Sequence, residues 1–143
     1  MDEPLMRTIL RTNKQWTLYR RKISQEIGIP DSYRMILMYL NRHPGASQKE
    51  IAEFRDSTTS SVNQTVKEMI LTGYLEKQTD ETDQRCTKLY LTEKGLQCAG
   101  QIRQRIEEAE EKIARFITPE KKKEIIDLLT SLSEQIQRGL PDC

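Results

Sequence analysis

The sequence predicts a mainly α-helical protein carrying one small β-hairpin, and three observations predict it. Apolar residues recur at three- and four-residue intervals over most of the 143 positions. That period breaks between Tyr74 and Leu91, where Leu89 and Leu91 alternate with Lys88 and Tyr90 as a half-buried hairpin requires. Charged residues make up 31% and aromatics 6% of the chain, a balance that suits helices with solvated outer faces better than a β-sandwich.

The first helix is expected from about Leu5 to Ile27, with Ile9, Trp16, Tyr19, Ile23 and Ile27 at mostly helical spacing. Gly28 supplies a stop and Pro30 bars continuation. A second helix starts near Asp31, places Tyr33, Ile36, Leu37 and Leu40 on one face, and ends at His43-Pro44-Gly45. Ser47-Gln48-Lys49-Glu50 is a capping box that opens a short third helix, with Ile51, Ala52 and Phe54 expected inward. After the polar turn Arg55-Asp56-Ser57, a fourth helix runs from about Thr58 to Leu71 and is closed by Gly73. At 100° per residue, Val62, Val66, Met69 and Ile70 fall on one side of it. Ser60, Gln64 and Lys67 fall on the other, flanked by Ser61, Asn63 and Glu68.

Two strands follow, Tyr74 to Thr79 and Cys86 to Leu91, joined by residues 80–85. Thr92 caps a long fifth helix whose apolar positions Ala99, Ile102, Ile106, Ala109, Ile113 and Phe116 keep the 3-4 spacing of a coiled-coil seam. Thr118-Pro119-Glu120 restarts the chain as an N-cap, a first-position proline and a first-turn acid. The sixth helix carries Ile125, Leu129, Leu132, Ile136 and Leu140. With no internal repeat and no low-complexity linker, residues 1–143 are expected to form a single domain.

Several function classes fall away. No apolar run approaches the roughly 20 residues of a membrane span, and Met1-Asp2-Glu3-Pro4 lacks the basic-then-apolar order of a signal peptide. A cytoplasmic protein is expected. Cys86, Cys98 and Cys143 are odd in number and far apart, against a disulfide framework and against a zinc cluster. An acid–base pair, a metal cluster or a phosphate loop at working spacing is missing, so neither an enzyme nor a cofactor is expected.

The order of helix, capped helix, polar turn, two-faced helix and hairpin is that of a winged helix-turn-helix. Its recognition helix must expose short polar side chains so that the backbone can approach base edges. Thr58, Thr59, Ser60, Ser61, Asn63 and Gln64 are of that kind, with Lys67 on the same outer face. Asn and Gln pair bidentately with adenine, while Ser and Thr serve bases or phosphates. The plainer reading, a capped and solvated helix start, weakens once the capping box before it and the hairpin after it are counted. At the hairpin tip, Arg85 is placed for an adjacent minor groove, and Asp83 for orienting it through a charge-assisted pair.

The run Asp83-Gln84-Arg85-Cys86-Thr87-Lys88-Leu89-Tyr90-Leu91-Thr92-Glu93-Lys94-Gly95 resembles the D-x-R-x(3)-L-x-L-T-x-x-G signature of the MarR family of bacterial and archaeal regulators. Ser60-Ser61-Val62-Asn63-Gln64 and Gly73-Tyr74-Leu75 are similar to that family's recognition helix and its exit. The resemblance implies a homodimer on a pseudo-palindromic operator, usually a repressor relieved by a small ligand such as an aromatic or phenolic effector. Ser60, Ser61, Asn63 and Gln64 would then contact bases or phosphates, and Arg85, supported by Asp83, the minor groove. Residues 29–95 would form the DNA-binding lobe, and residues 1–28 with 96–143 the dimerisation helices, the first, fifth and sixth making the interface. The recognition helices would sit roughly 34 Å apart.

The chain departs from the family in two places. Gln64 and Gln84 stand where the family often has arginine. The loss agrees with the charge count. Residues 1–43 hold 8 Lys/Arg against 4 Asp/Glu, residues 44–95 hold 7 against 9, and residues 96–143 hold 8 against 9. The lobe is formally acidic, so DNA contact would rest on a few placed side chains. That acidity favours the rival reading, a winged-helix protein-interaction module or anti-repressor with little DNA affinity. Trp16 and Tyr19 are candidates for an effector cavity, with core packing the plainer reading. His43 is read as a helix-end residue, Lys121-Lys122-Lys123 as a solvated face, and Cys86 and Cys98 as thiols with no base to activate them.

Overall fold

A computed structural model describes residues 2–55, 58–79, 81–83 and 87–140, with Thr59 described by its backbone only. The elements are α1 (Leu5–Ile27), α2 (Asp31–Arg42), α3 (Gln48–Arg55), α4 (Thr59–Leu71), β1 (Leu75–Thr79), β2 (Thr87–Leu91), α5 (Glu93–Ala114) and α6 (Pro119–Gln137). This is the mainly α fold with one hairpin that the periodicity predicts. No helix among the described residues is long and apolar enough to cross a membrane. The chain divides into two compact units, Met1–Arg105 and Ile106–Cys143, with the boundary inside α5.

In the first unit, α1 ends where Gly28 takes the left-handed conformation (φ 88°), its N–H donating to Ser24 and Gln25 carbonyls. α2 supplies Tyr33, Ile36, Leu37 and Leu40 to the core as expected, all at most 5% exposed. Ile51, Val62, Val66, Met69, Leu75, Leu89, Ala99 and Ile102 close around them. Each Val, Leu, Ile or Met among them contributes about 1.5–3 kcal/mol on burial. β1 and β2 pair antiparallel, with Leu75 opposite Leu91 and Thr79 opposite Thr87. The turn between α2 and α3 is bonded to the hairpin: Gly45 N–H donates to Leu89 O (2.9 Å) and Leu89 N–H to Ala46 O (3.0 Å). The helical hairpin and the wing therefore share a backbone ladder, and neither can tilt alone.

Several expectations need correction. Phe54 does not point inward; it is 60% exposed, its ring beside that of Tyr39 at 4.8 Å. Ile51 and Ala52 centre the inner stripe of α3, and Phe54 falls about 110° from that centre at the helical pitch. Tyr74 is not a strand residue. Its N–H closes the end of α4 on Met69 O (2.8 Å) while Gly73 N–H bonds Ile70 O (3.1 Å), so β1 starts at Leu75. The capping box shows its serine half, Glu50 N–H donating to Ser47 Oγ at 3.1 Å.

The second unit holds the end of α5 and all of α6. Thr118 caps α6 as expected, its Oγ1 accepting from Lys121 N–H. The seam does not reach Phe116, because α5 ends at Ala114 and Phe116 is 89% exposed. The extended backbone that Thr118 needs as a cap before Pro119 obliges the chain to leave α5 earlier. Leu140 lies past the end of α6 and is exposed. None of the residues of α6 is buried. Ile113, Ala114, Ile117, Ile125 and Ile126 line an open apolar groove, with the Glu110–Lys122 ion pair (3.7 Å) also part of its lining.

Candidate nucleic-acid interface

α4 is the element the sequence assigns to DNA reading, and its two faces separate cleanly. Val62, Val66 and Met69 are fully buried, which fixes the helix on α3 and β1. Ser60, Ser61, Gln64, Lys67 and Glu68 are exposed on the other side, and Asn63 is half-buried. Thr65 is buried between these faces, its hydroxyl donating to Ser61 O at 3.2 Å. Thr58 is the N-cap (φ −78°, ψ 148°), and its Oγ1 accepts from Ser61 N–H at 3.1 Å. One predicted DNA ligand is thus already engaged in holding the helix start, leaving its hydroxyl proton for a phosphate or base.

The wing brings exposed Lys88 and Asp83 to the surface of the same unit. Arg85, Gln84, Cys86 and the Thr59 side chain lie outside the described residues, as do Asp56 and Ser57 of the turn before α4. The expected Asp83–Arg85 pair lies outside them as well. Trp16 and Tyr19 are brought together on α1, half-buried, with rings stacked at 5.7 Å and 16°. His43 caps the end of α2 and packs on Tyr39 (4.7 Å). Cys98 is buried, and burial pushes its thiol pKa up despite nearby Lys94, which leaves little thiolate for reaction.

The structure also shows features that periodicity did not single out. Arg34 is 5% exposed, and its Nε donates to Asp31 Oδ1 at 3.1 Å. Ser24 Oγ lies 3.0 Å from the same oxygen, and Arg21 3.9 Å from its partner. Asp31 thereby ties α1 to α2 on the C-terminal side of the Trp16–Tyr19 stack. The i,i+3 spacing of Asp31 and Arg34 was the available signal, although spacing alone says nothing of burial. Among the described residues, Arg20 Nε and Arg55 Nη1 are buried without a hydrogen-bond partner.

The second unforeseen feature joins the end of α4 to the start of α5. Three successive carbonyls, those of Thr72, Gly73 and Tyr74, accept from Lys94 Nζ (2.8 Å), Thr92 Oγ1 (2.5 Å) and Thr92 N–H (3.1 Å). Thr92 Oγ1 in turn accepts from Gly95 N–H (3.2 Å), capping α5. Lys94 Nζ also sits 4.3 Å from the centroid of the Tyr74 ring, which meets Tyr33 of α2 edge-on at 5.6 Å. A Cβ on Gly95 would lie 2.2 Å from Tyr74 O, so the two backbones touch. The T-x-x-G end of the wing signature is thus a joint between helices.

With the geometry in place, comparison with known proteins identifies the fold. A model of the MarR family matches residues 27–85, from the end of α1 to the wing. The HTH-type transcriptional regulator BilQ of Clostridium symbiosum is 27% identical over 127 residues, covering 89% of this chain and 87% of that protein. The crystal structure of the MarR family transcription regulator SP03579 superposes with a TM-score of 0.83 at 17% identity, covering 92% of this chain and 85% of that one. A point mutant of MepR from S. aureus, bound to an oligodeoxyribonucleotide, superposes with a TM-score of 0.64 at 18% identity, covering 94% of this chain and 99% of that one. The capped, two-faced α4, the hairpin bonded to the α2–α3 turn and these matches give the chain the winged helix-turn-helix fold of the MarR regulators, with sequence similarity to that family over residues 27–85.

Proposed function

We propose that the chain is a sequence-specific regulator that binds a pseudo-palindromic operator as a homodimer and represses until a small aromatic or phenolic effector releases it. The observation that carries the DNA-reading part is the outer face of α4. Ser60, Ser61, Gln64 and Lys67 are exposed on a helix whose opposite face is anchored at zero exposure by Val62, Val66 and Met69. Short polar side chains on an immobile helix are what close approach to base edges needs. MepR bound to an oligodeoxyribonucleotide shows that a protein of this fold engages DNA, which supports the same use here. Residues 29–95 serve as the reading lobe in this proposal.

The homodimer draws support from the second unit. Ile125, Ile126, Leu128, Leu129 and Ile136 of α6 are all more than 40% exposed, as are Ile113 and Phe116. A monomer seldom leaves so many aliphatics in water, and a second copy laid on α6, α5 and α1 would cover them. The half-buried Trp16–Tyr19 stack is the place proposed for the effector.

The rival, a protein-interaction module with little DNA affinity, is favoured by the 9 Asp/Glu against 7 Lys/Arg in residues 44–95. One titration separates the two. Sequences selected from a random DNA pool are expected to bind with an affinity that falls steeply and linearly in log–log terms as salt rises. Failure to enrich any sequence would overturn the proposal in favour of the rival. Release of the selected DNA by candidate aromatic acids tests the effector.

A further inference from the structure

Lys94 stands in the first turn of α5, one residue after Glu93. A cation is unfavourable there, because the helix start carries the positive end of the dipole. Its ammonium is directed at the neighbouring helix instead. It donates to Thr72 O at 2.8 Å and lies over the face of Tyr74 at 4.3 Å. Thr72 is the C-cap of α4, so Lys94 sits at the negative end of that helix's dipole. The misplaced charge of α5 is the well-placed terminal charge of α4.

We propose that Lys94 is a positioning residue that sets the bearing of the recognition helix on α5, and that it does this without touching DNA. Three features make the joint directional. Gly73 O and Tyr74 O are held by Thr92, Thr72 O is held by Lys94, and Gly95 allows no separation between them. Two of these grips come from one residue, and a lone residue leaves α4 able to pivot about it. Lys94 supplies the displaced third grip that stops the pivot. The Tyr74 ring then passes the constraint to Tyr33 on α2. α5 continues past Arg105 into the second unit, whose exposed apolar side chains are the proposed dimer surface. In a dimer reader the distance between recognition helices must match the half-site spacing. A joint at the root of each recognition helix therefore governs tolerance of spacing and leaves base preference alone.

This rests on the DNA-binding reading above, and the test keeps the two apart. Lys94→Met removes the charge and keeps the apolar stem, and Lys94→Arg restores a donor and a ring-stacking cation. Each is titrated against the selected operator and against versions with one base pair added or removed between half-sites, over a salt series. Lys94→Met is expected to lose about three- to tenfold in affinity, to discriminate less between spacings, and to keep the wild-type salt slope. Lys94→Arg is expected to recover both. A salt slope lower by about 1 with spacing preference intact would make Lys94 a phosphate contact and overturn the proposal. Unchanged affinity and spacing preference would overturn it too. Amide hydrogen exchange on the DNA-free protein judges the joint even if no operator is found. Faster exchange in residues 68–74 of Lys94→Met supports the clamp, and unchanged exchange there refutes it.

Discussion

The two units treat their apolar residues in opposite ways. Up to Arg105, most aliphatics of α2, α3, α4 and the hairpin turn inward, Leu71 at the end of α4 being an exception. Among the described residues, eleven of the twelve largest fully buried side chains are apolar. Beyond it, α6 repeats aliphatics at helical spacing and buries none of them. The sequence patterns are alike, so periodicity alone cannot tell a core stripe from an interface stripe. The difference lies in what each stripe meets: the first finds other segments of its own chain, while that of α6 stays exposed. The proposed function accounts for the contrast: a lobe that reads DNA would be rigid before DNA arrives, whereas a dimer surface would be completed only by its partner.

The comparison can be broken most directly at matched leucines. Leu37→Ala, at a fully buried position, is expected to lower the free energy of unfolding by about 2–5 kcal/mol, read from denaturant midpoints. Leu128→Asp, at a position 65% exposed, is expected to leave far-UV circular dichroism unchanged and shift sedimentation towards monomer. A dimer that survives that charge would remove Leu128 from the interface. Gly95→Ala comes next in size. Forcing a Cβ to within 2.2 Å of Tyr74 O should cost roughly 1–3 kcal/mol, and a midpoint shift near zero would show that the α4–α5 joint can slide.

The smallest effect expected is a pH dependence at Asp31. Partial burial works against its charge, but the hydrogen bonds from Arg34 and Ser24 and the charges of Arg34 and Arg21 outweigh it and hold the carboxyl below its ordinary value. A carboxylate depressed in the folded state stabilises above its unfolded pKa, about 3.9, and loses that contribution as pH falls through the lower folded value. Stability of the wild type should therefore fall on acidification below about pH 4, and Asp31→Asn should flatten that part of the curve. The carboxylate is 36% exposed, so solvent screening keeps the effect modest. Equal acid sensitivity in both proteins would separate Asp31 from the stability of the lobe.

Much of the fold was legible because its signals are local. Gly28 stopping α1, Ser47 opening α3 and Thr118-Pro119 opening α6 act within one helical turn, and each is found where the residues place it. The outer face of α4 was legible for the same reason, since a helix shorter than four turns keeps its phase. Phe54 misled because an eight-residue helix has room for one inner stripe, and neighbours in space decided which residues took it. Phe116 misled because a seam written in residue spacing continues past the point where the cap of the next helix ends it.

The sequence by itself determined the order of elements, most of their ends, the polar outer face of α4 and the run that resembles the MarR signature. Those follow from periodicities and caps that neighbouring residues settle among themselves. Only the tertiary structure decided that Arg34 is a buried tie on Asp31, that the stripe of α6 is exposed, and that Lys94 reaches Thr72 across 22 positions of chain. Such contacts depend on how separate elements are laid together. No spacing rule along the chain encodes an approach between backbones as close as that of Gly95 to Tyr74.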